Sequence, residues 1–102
     1  CVVVVSGAID LVTDGHKKIA VPHGHAMMSR VTGLGCTATA LIGAFSAINT
    51  DYFTAAVHAM ALMGICGEMA AKEASGPASL QLNLIDTFYN IEQNHISAYL
   101  KD

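Results

Sequence analysis

Thr32-Gly33-Leu34-Gly35-Cys36-Thr37 is the stretch of this sequence whose residue types and spacing could do chemistry. Two glycines let the backbone turn tightly and leave no Cβ in the way of a ligand. A long helical pattern begins directly afterwards. The first backbone N–H groups of a helix have no internal partner, and the helix dipole adds partial positive charge to them. Such an end receives a phosphate or a developing oxyanion. Cys36 stands at the same end.

Three readings of this loop compete. In the first, the glycines form a plain turn and Cys36 is a small buried apolar residue. In the second, Gly33-x-Gly35-x-x-Ala38 is a dinucleotide fingerprint with Asp51 as its distal acid. That fingerprint opens a βαβ unit with the acid ending a second strand, whereas Asp51 follows Asn49 and Thr50 in a helix-capping context. In the third, the loop is an anion hole for phosphoryl transfer. No GxxxxGK[ST] occurs, which excludes a Walker-type site in this segment.

The elements that must position the loop follow from local pattern. Val2-Val3-Val4-Val5 is a β-branched run closed by Ser6-Gly7, suited to a strand buried on both faces, as in a parallel sheet. Residues 8–13 and 16–21 flank Asp14-Gly15, a hairpin signal in which both turn positions take φ > 0. Pro22 ends the second of these strands. Residues 23–29 read as loop, and Arg30-Val31-Thr32 as a short extended piece. Helical pattern then covers residues 36–48. A second helix, capped from Asn49, Thr50 or Asp51, runs to the stop signal Ser75-Gly76-Pro77. A third, capped by Ser79, covers residues 80 to about 100, with Leu84, Phe88, Ile91 and His95 as one stripe.

Composition sets bounds on function. The chain has 102 residues, 53% of them hydrophobic and only 13% charged, against roughly 25% charged in an average soluble domain. A chain of this length leaves much surface to cover, and it opens on Cys1 and four valines. We therefore expect the tail of a longer protein, or a domain largely buried against partners. Disorder is excluded by the apolar content and the net charge of −3. The isoelectric point near 5.9, with no basic cluster beyond Lys17-Lys18, opposes nucleic-acid binding. Cys1, Cys36 and Cys66 form no CxxC pair and no disulfide framework, which points to a reducing cytoplasm. Residues 31–50 carry no formal charge and are long enough to span a bilayer, but they hold six polar side chains and lack an aromatic belt. A membrane location is not expected.

Ser6-Gly7-Ala8-Ile9-Asp10-Leu11-Val12-Thr13-Asp14-Gly15, followed downstream by Thr32-Gly33-Leu34-Gly35-Cys36, resembles the C-terminal part of the hydroxyethylthiazole kinase family. The resemblance continues through residues 70–77 and covers nearly the whole chain. It implies an α/β fold: the C-terminal portion of a ribokinase-like three-layer sandwich, built here from a strand, a β-hairpin, the glycine loop and three helices. Residues 1–102 would be the C-terminal part of one kinase domain. It also implies transfer of the ATP γ-phosphate to the hydroxyl of 4-methyl-5-(2-hydroxyethyl)thiazole, in thiamine biosynthesis or salvage, by an ATP- and Mg2+-dependent homotrimer. The magnesium ligands and most of the thiazole pocket would lie in a part of the family's sequence that this chain does not carry.

Family roles transfer residue by residue. Ser6 falls where the family has a hydroxyl residue beside the ATP phosphates. Gly33 matches the glycine whose backbone contacts the thiazole, and Gly35 lies in the anion-hole loop of residues 33–36. Leu34 departs from the Thr frequent in the family, and a loop that works through backbone N–H groups tolerates it. Cys36 matches the position of the base. Phosphoryl transfer depends more on charge stabilisation than on a strong base, so a thiol there predicts modest turnover. Two further readings stay open: another ribokinase-like kinase, acting on a small alcohol such as hydroxymethylpyrimidine, and a non-enzymatic helical membrane or assembly protein.

The remaining residues have plainer expectations. His23-Gly24-His25 has no Cys, Asp or Glu nearby in sequence to complete a metal site, and reads as a mobile loop beside the active site. His58 reads as a core or interface histidine, Met60, Met63 and Met69 as core filling, and Cys66 as buried and inert. Glu68, Lys72 and Glu73 read as a solvated helix face.

Overall fold

The structure, a computed structural model, describes residues 1–99. Three short strands come first: β1 (Val3–Val5), β2 (Asp10–Thr13) and β3 (Lys18–Val21). A 3-10 helix (Ala26–Arg30) follows, and then α1 (Leu34–Ile48), α2 (Tyr52–Glu73), α3 (Pro77–Asn90) and α4 (Gln93–Tyr99). The result is a small sheet with helices against it, an α/β arrangement.

The sheet is antiparallel, in the order β1-β2-β3, with Val4 opposite Val12 and Leu11 opposite Ala20. The valine run does form a strand, but not one covered on both faces. Val3 and Val5 are 47% and 56% exposed. A β-branched run specifies a strand without specifying its neighbour, and the four-residue link 6–9 returns β2 alongside β1. The hairpin stands where expected, with a different turn. Gly15 takes φ 94°, while Asp14 does not enter the left-handed region. Pairing of Thr13 with Lys18 leaves a four-residue loop. The Asp14 carboxylate accepts from the N–H groups of His16 and Lys17, both at 2.9 Å. That Asx-type closure removes the need for a second left-handed residue.

α2 is the central helix. Its sheet-side half joins Val12 and Val21 through Phe53, Ala56 and Met60, and its other half joins Leu80 and Leu84 of α3 through Met63, Cys66 and Ala70. Met60 and Met63 fill the core as expected, whereas Met69 is only half-buried. Small residues on α2 (Ala55, Ala56, Ala59, Gly64, Gly67, Ala70) are buried, so neighbouring elements approach it closely. The 22 residues of α2 are long and apolar enough to cross a membrane, but most of them are buried inside the molecule. Within the uncharged stretch 31–50 the helix has only 15 residues, short of the roughly 20 that a bilayer span needs.

Helix boundaries differ from expectation at four places. α1 starts at Leu34, two residues early, because Gly33 serves as its N-cap in a left-handed conformation (φ 87°). Residues 26–30, expected as loop running into an extended piece, form the 3-10 helix; only Val31 is extended. α3 starts at Pro77 after Gly76, placing Ser79 inside the helix. Proline suits a first helical position because its missing N–H would have had no partner there. The expected long third helix is broken at Ile91, which is extended. Asn90 Nδ2 donates to the Asp86 carbonyl at 2.9 Å, and the His95 ring accepts the Glu92 N–H at 3.1 Å. These side chain–backbone bonds compete with the helical ladder. Leu100 lies outside the described residues.

Candidate functional site

The start of α1 forms one wall of a cleft of about 830 Å³. Thr37 is the first residue whose N–H reaches back along the helix, to the Gly33 carbonyl at 3.1 Å. The N–H groups of Leu34, Gly35 and Cys36 therefore have no intrahelical acceptor. Gly33 offers no side-chain cap, and the first turn carries no acidic residue. Space beside Gly35 is open, since a Cβ there would meet nothing within 4 Å. Hydroxyls back-bond at this end, Thr37 Oγ1 to the Gly33 carbonyl at 3.2 Å and Thr39 Oγ1 to the Gly35 carbonyl at 2.9 Å. An end with bare amides, a positive dipole and open space suits an anionic group.

The second wall is the link between β1 and β2. Ser6, Gly7, Ala8 and Asp10 face the cleft. The third is the segment after β3, where His23 is buried and His25 exposed. Expected as a mobile loop, this segment is fastened on both sides. Gly24 N–H donates to Glu68 Oε1 at 2.9 Å across 44 residues of sequence. His25 Nδ1 accepts the Met27 N–H at 3.0 Å and caps the 3-10 helix. The segment also presses on α2. A Cβ at Gly64 would lie 2.6 Å from the His23 carbonyl carbon and oxygen, and a Cβ at Gly67 would collide with the Met28 thioether, 2.8 Å from its Cε.

Glu68 is thus not part of a merely solvated face. It is half-buried, and its carboxylate is spent on the cleft wall. Gly64, Gly67 and Glu68, spaced i, i+3 and i+4, share one face of α2 and form the seat for that wall. The sequence reading passed over these glycines and Asp10; the spacing on α2 was the available signal. His58 is exposed and meets Phe45 of α1 edge-on at 6.5 Å between ring centroids. Cys66 is fully buried, and burial pushes its thiol up to about 12.

Of the residues singled out, Ser6 and Gly35 line the cleft together with His23 and His25. Gly33 and Cys36 do not line it. Leu34, Gly35, Ala38, Thr39 and Ile42 present one helical face to the cleft, and the Cys36 side chain, on a different flank of the first turn, is exposed. What Gly33 and Cys36 share with the cleft is the helix start itself. Among the described residues no group of three His, Cys, Asp or Glu is placed to hold a metal ion. The bare amides at the start of α1 fit a phosphate.

Comparison with known proteins bears on this arrangement. The sequence profile of the Hydroxyethylthiazole kinase family matches residues 1–94. A hydroxyethylthiazole kinase of Granulibacter bethesdensis is 51% identical over 100 residues, covering 98% of this chain and 35% of the relative. One from Desulfotalea psychrophila is 45% identical over 95 residues, 93% of this chain and 35% of that protein. The solved hydroxyethylthiazole kinase structure from Pyrococcus horikoshii OT3 superposes with a TM-score of 0.93 at 42% identity, covering 98% of this chain and 39% of that one. The chain spans little more than a third of the length of the curated relatives it matches. Profile, sequence and fold agree across nearly all of these residues, and the chain belongs to the hydroxyethylthiazole kinase family.

Proposed function

We propose that residues 1–102 form the C-terminal portion of a ribokinase-like three-layer kinase domain that phosphorylates 4-methyl-5-(2-hydroxyethyl)thiazole with ATP, in cytoplasmic thiamine biosynthesis or salvage. The observation that carries this reading is the start of α1, where three amides without intrahelical acceptors meet a cleft lined by Ser6 and Gly35. Ser6 hydrogen-bonds the nucleotide phosphates from the opposite wall. The Gly33 backbone contacts the thiazole at the rim. No residue of this chain is assigned to magnesium, which when bound would neutralise charge on the nucleotide phosphates.

In the reaction the thiazole's primary alcohol oxygen attacks the γ-phosphorus. The bond from that phosphorus to the bridging oxygen of ADP breaks, and ADP leaves with the electron pair. The alcohol proton passes to the thiolate form of Cys36, which places the acceptor alcohol on the exposed flank of the helix start that carries this side chain, with the phosphates on the cleft side. Negative charge spreads over the equatorial oxygens of the transferring group, where the amides of residues 34–36 stabilise it. The base is the lesser contribution because the transition state is loose, which accommodates a thiol in place of a carboxylate.

The assembly is a homotrimer with sites at subunit boundaries. Leu82, Ile85 and Tyr89 form an exposed apolar stripe on α3, a face for a neighbouring subunit or for the rest of the domain. The test of function is ADP release by the complete polypeptide carrying this chain, with hydroxyethylthiazole and hydroxymethylpyrimidine compared as acceptors. Preferential turnover of the thiazole is expected. Preference for the pyrimidine would replace this reading with another ribokinase-like activity, and turnover of neither would remove both.

A further inference from the structure

Asp10 opens β2 beside the cleft and is 9% exposed. Its Oδ1 accepts the N–H of Gly7 at 3.0 Å. That N–H belongs to the peptide joining Ser6 to Gly7, so the bond fixes the plane of the very peptide whose Cα carries the Ser6 hydroxyl. The link 6–9 contains no regular element, and Ser6 and Gly7 are both exposed. Without the carboxylate, the peptide plane is free to rotate. Burial pushes the Asp10 carboxyl up, while the Gly7 N–H acts in the opposite direction. A carboxylate kept in so unfavourable a position, facing the cleft through its loop and with its side chain directed at one peptide, acts on that loop.

We propose that Asp10 is a positioning residue for nucleotide binding: through the Ser6–Gly7 peptide it aims the Ser6 hydroxyl and the adjoining backbone at the ATP phosphates. This rests on the kinase reading above, and it adds a residue to the phosphate wall that touches no substrate itself. It follows that loss of Asp10 acts on ATP and leaves the thiazole alone, because the thiazole contact assigned to Gly33 lies at the start of α1, on a different element from the link 6–9.

The experiment compares Asp10→Ala, Asp10→Asn and Asp10→Leu in the complete polypeptide, by steady-state kinetics and by binding of a non-hydrolysable ATP analogue. Asn keeps an acceptor oxygen at the same place. Leu removes it while filling the volume and relieving the buried charge, so that it folds where Ala does not. Ala and Leu should raise the KM for ATP, and weaken the analogue, by about tenfold, the scale of one lost charge-assisted hydrogen bond. The KM for the thiazole and kcat should stay within about twofold, and Asn should recover most of the ATP affinity. An unchanged KM for ATP in Leu overturns the proposal. So does a fall in all parameters together, or an Asn variant no better than Leu. A parent enzyme that neither binds the analogue nor turns over removes the kinase reading first, and this proposal with it.

Discussion

Gly64 offers a sharp test of how the cleft is held. In a helix interior, Gly→Ala ordinarily stabilises by roughly 0.8–1 kcal/mol, because glycine loses more backbone freedom on folding. Gly43 in α1 should behave that way, since a Cβ there meets nothing within 4 Å. At Gly64 the new methyl would sit 2.6 Å from the His23 carbonyl carbon and oxygen, where ordinary contact begins at 3.4 Å. The neighbour is backbone, held by the Gly24–Glu68 bond, and so it must retreat by about an ångström instead of swinging aside. Overpacking of that kind costs about 1–3 kcal/mol. Offset by the helix gain, Gly64→Ala should destabilise by up to about 2 kcal/mol, while Gly43→Ala stabilises by about 1. The displaced wall carries His23 and His25, and misplacement by an ångström near a reacting centre can cost up to about a hundredfold in rate. Gly64→Ala should therefore lower kcat/KM about 10- to 100-fold, with Gly43→Ala unchanged. Denaturant melts and steady-state kinetics on both variants decide it. A Gly64→Ala protein as stable and active as Gly43→Ala would refute the seat on α2.

Three further outcomes are expected. Cys36→Ala should reduce kcat without abolishing it and Cys36→Asp should preserve activity, as read in the ADP-release assay; an Ala variant with full kcat would remove the base role. Alkylation at pH 8 should modify Cys1 and Cys36, both exposed, and spare Cys66, whose thiol burial pushes up to about 12; mass spectrometry showing rapid modification of Cys66 in folded protein would contradict the buried position. Asp51 caps α2, and bonds from the Thr54 hydroxyl and N–H hold its carboxyl below the usual value of 3.8. Its contribution is then present above pH 3.8 and lost as pH falls through the lower folded value. Asp51→Ala should flatten the acid side of a stability–pH profile, and superimposable profiles would argue against the cap.

Features written in short windows were readable from sequence. Pro22 ends β3, the cap of α2 falls among the three candidates at 49–51 (on Asp51), and the hairpin falls on Asp14-Gly15, because each depends on a few adjacent residues. The glycine loop was readable for the same reason: Gly33 and the helix after it carry the bare amides in consecutive residues. Features set by distant partners were not. The seat at Gly64, Gly67 and Glu68 has meaning only once residues 23–28 lie against it. Asp10 and Val12 alternate with Ile9 and Leu11, and alternation does not say which face is covered; the structure buries Asp10 and leaves Ile9 exposed. The break at Ile91 arises from side-chain bonds of Asn90 and His95 that compete with an otherwise continuous helical stripe.

The central claim is that the start of α1 helps deliver a phosphoryl group to the thiazole alcohol. Phosphorus NMR of the products formed from ATP and hydroxyethylthiazole by the complete polypeptide tests it directly. The account predicts ADP and a new phosphomonoester on the hydroxyethyl oxygen, in equal amounts. ADP with inorganic phosphate alone, or no consumption of ATP, would contradict it.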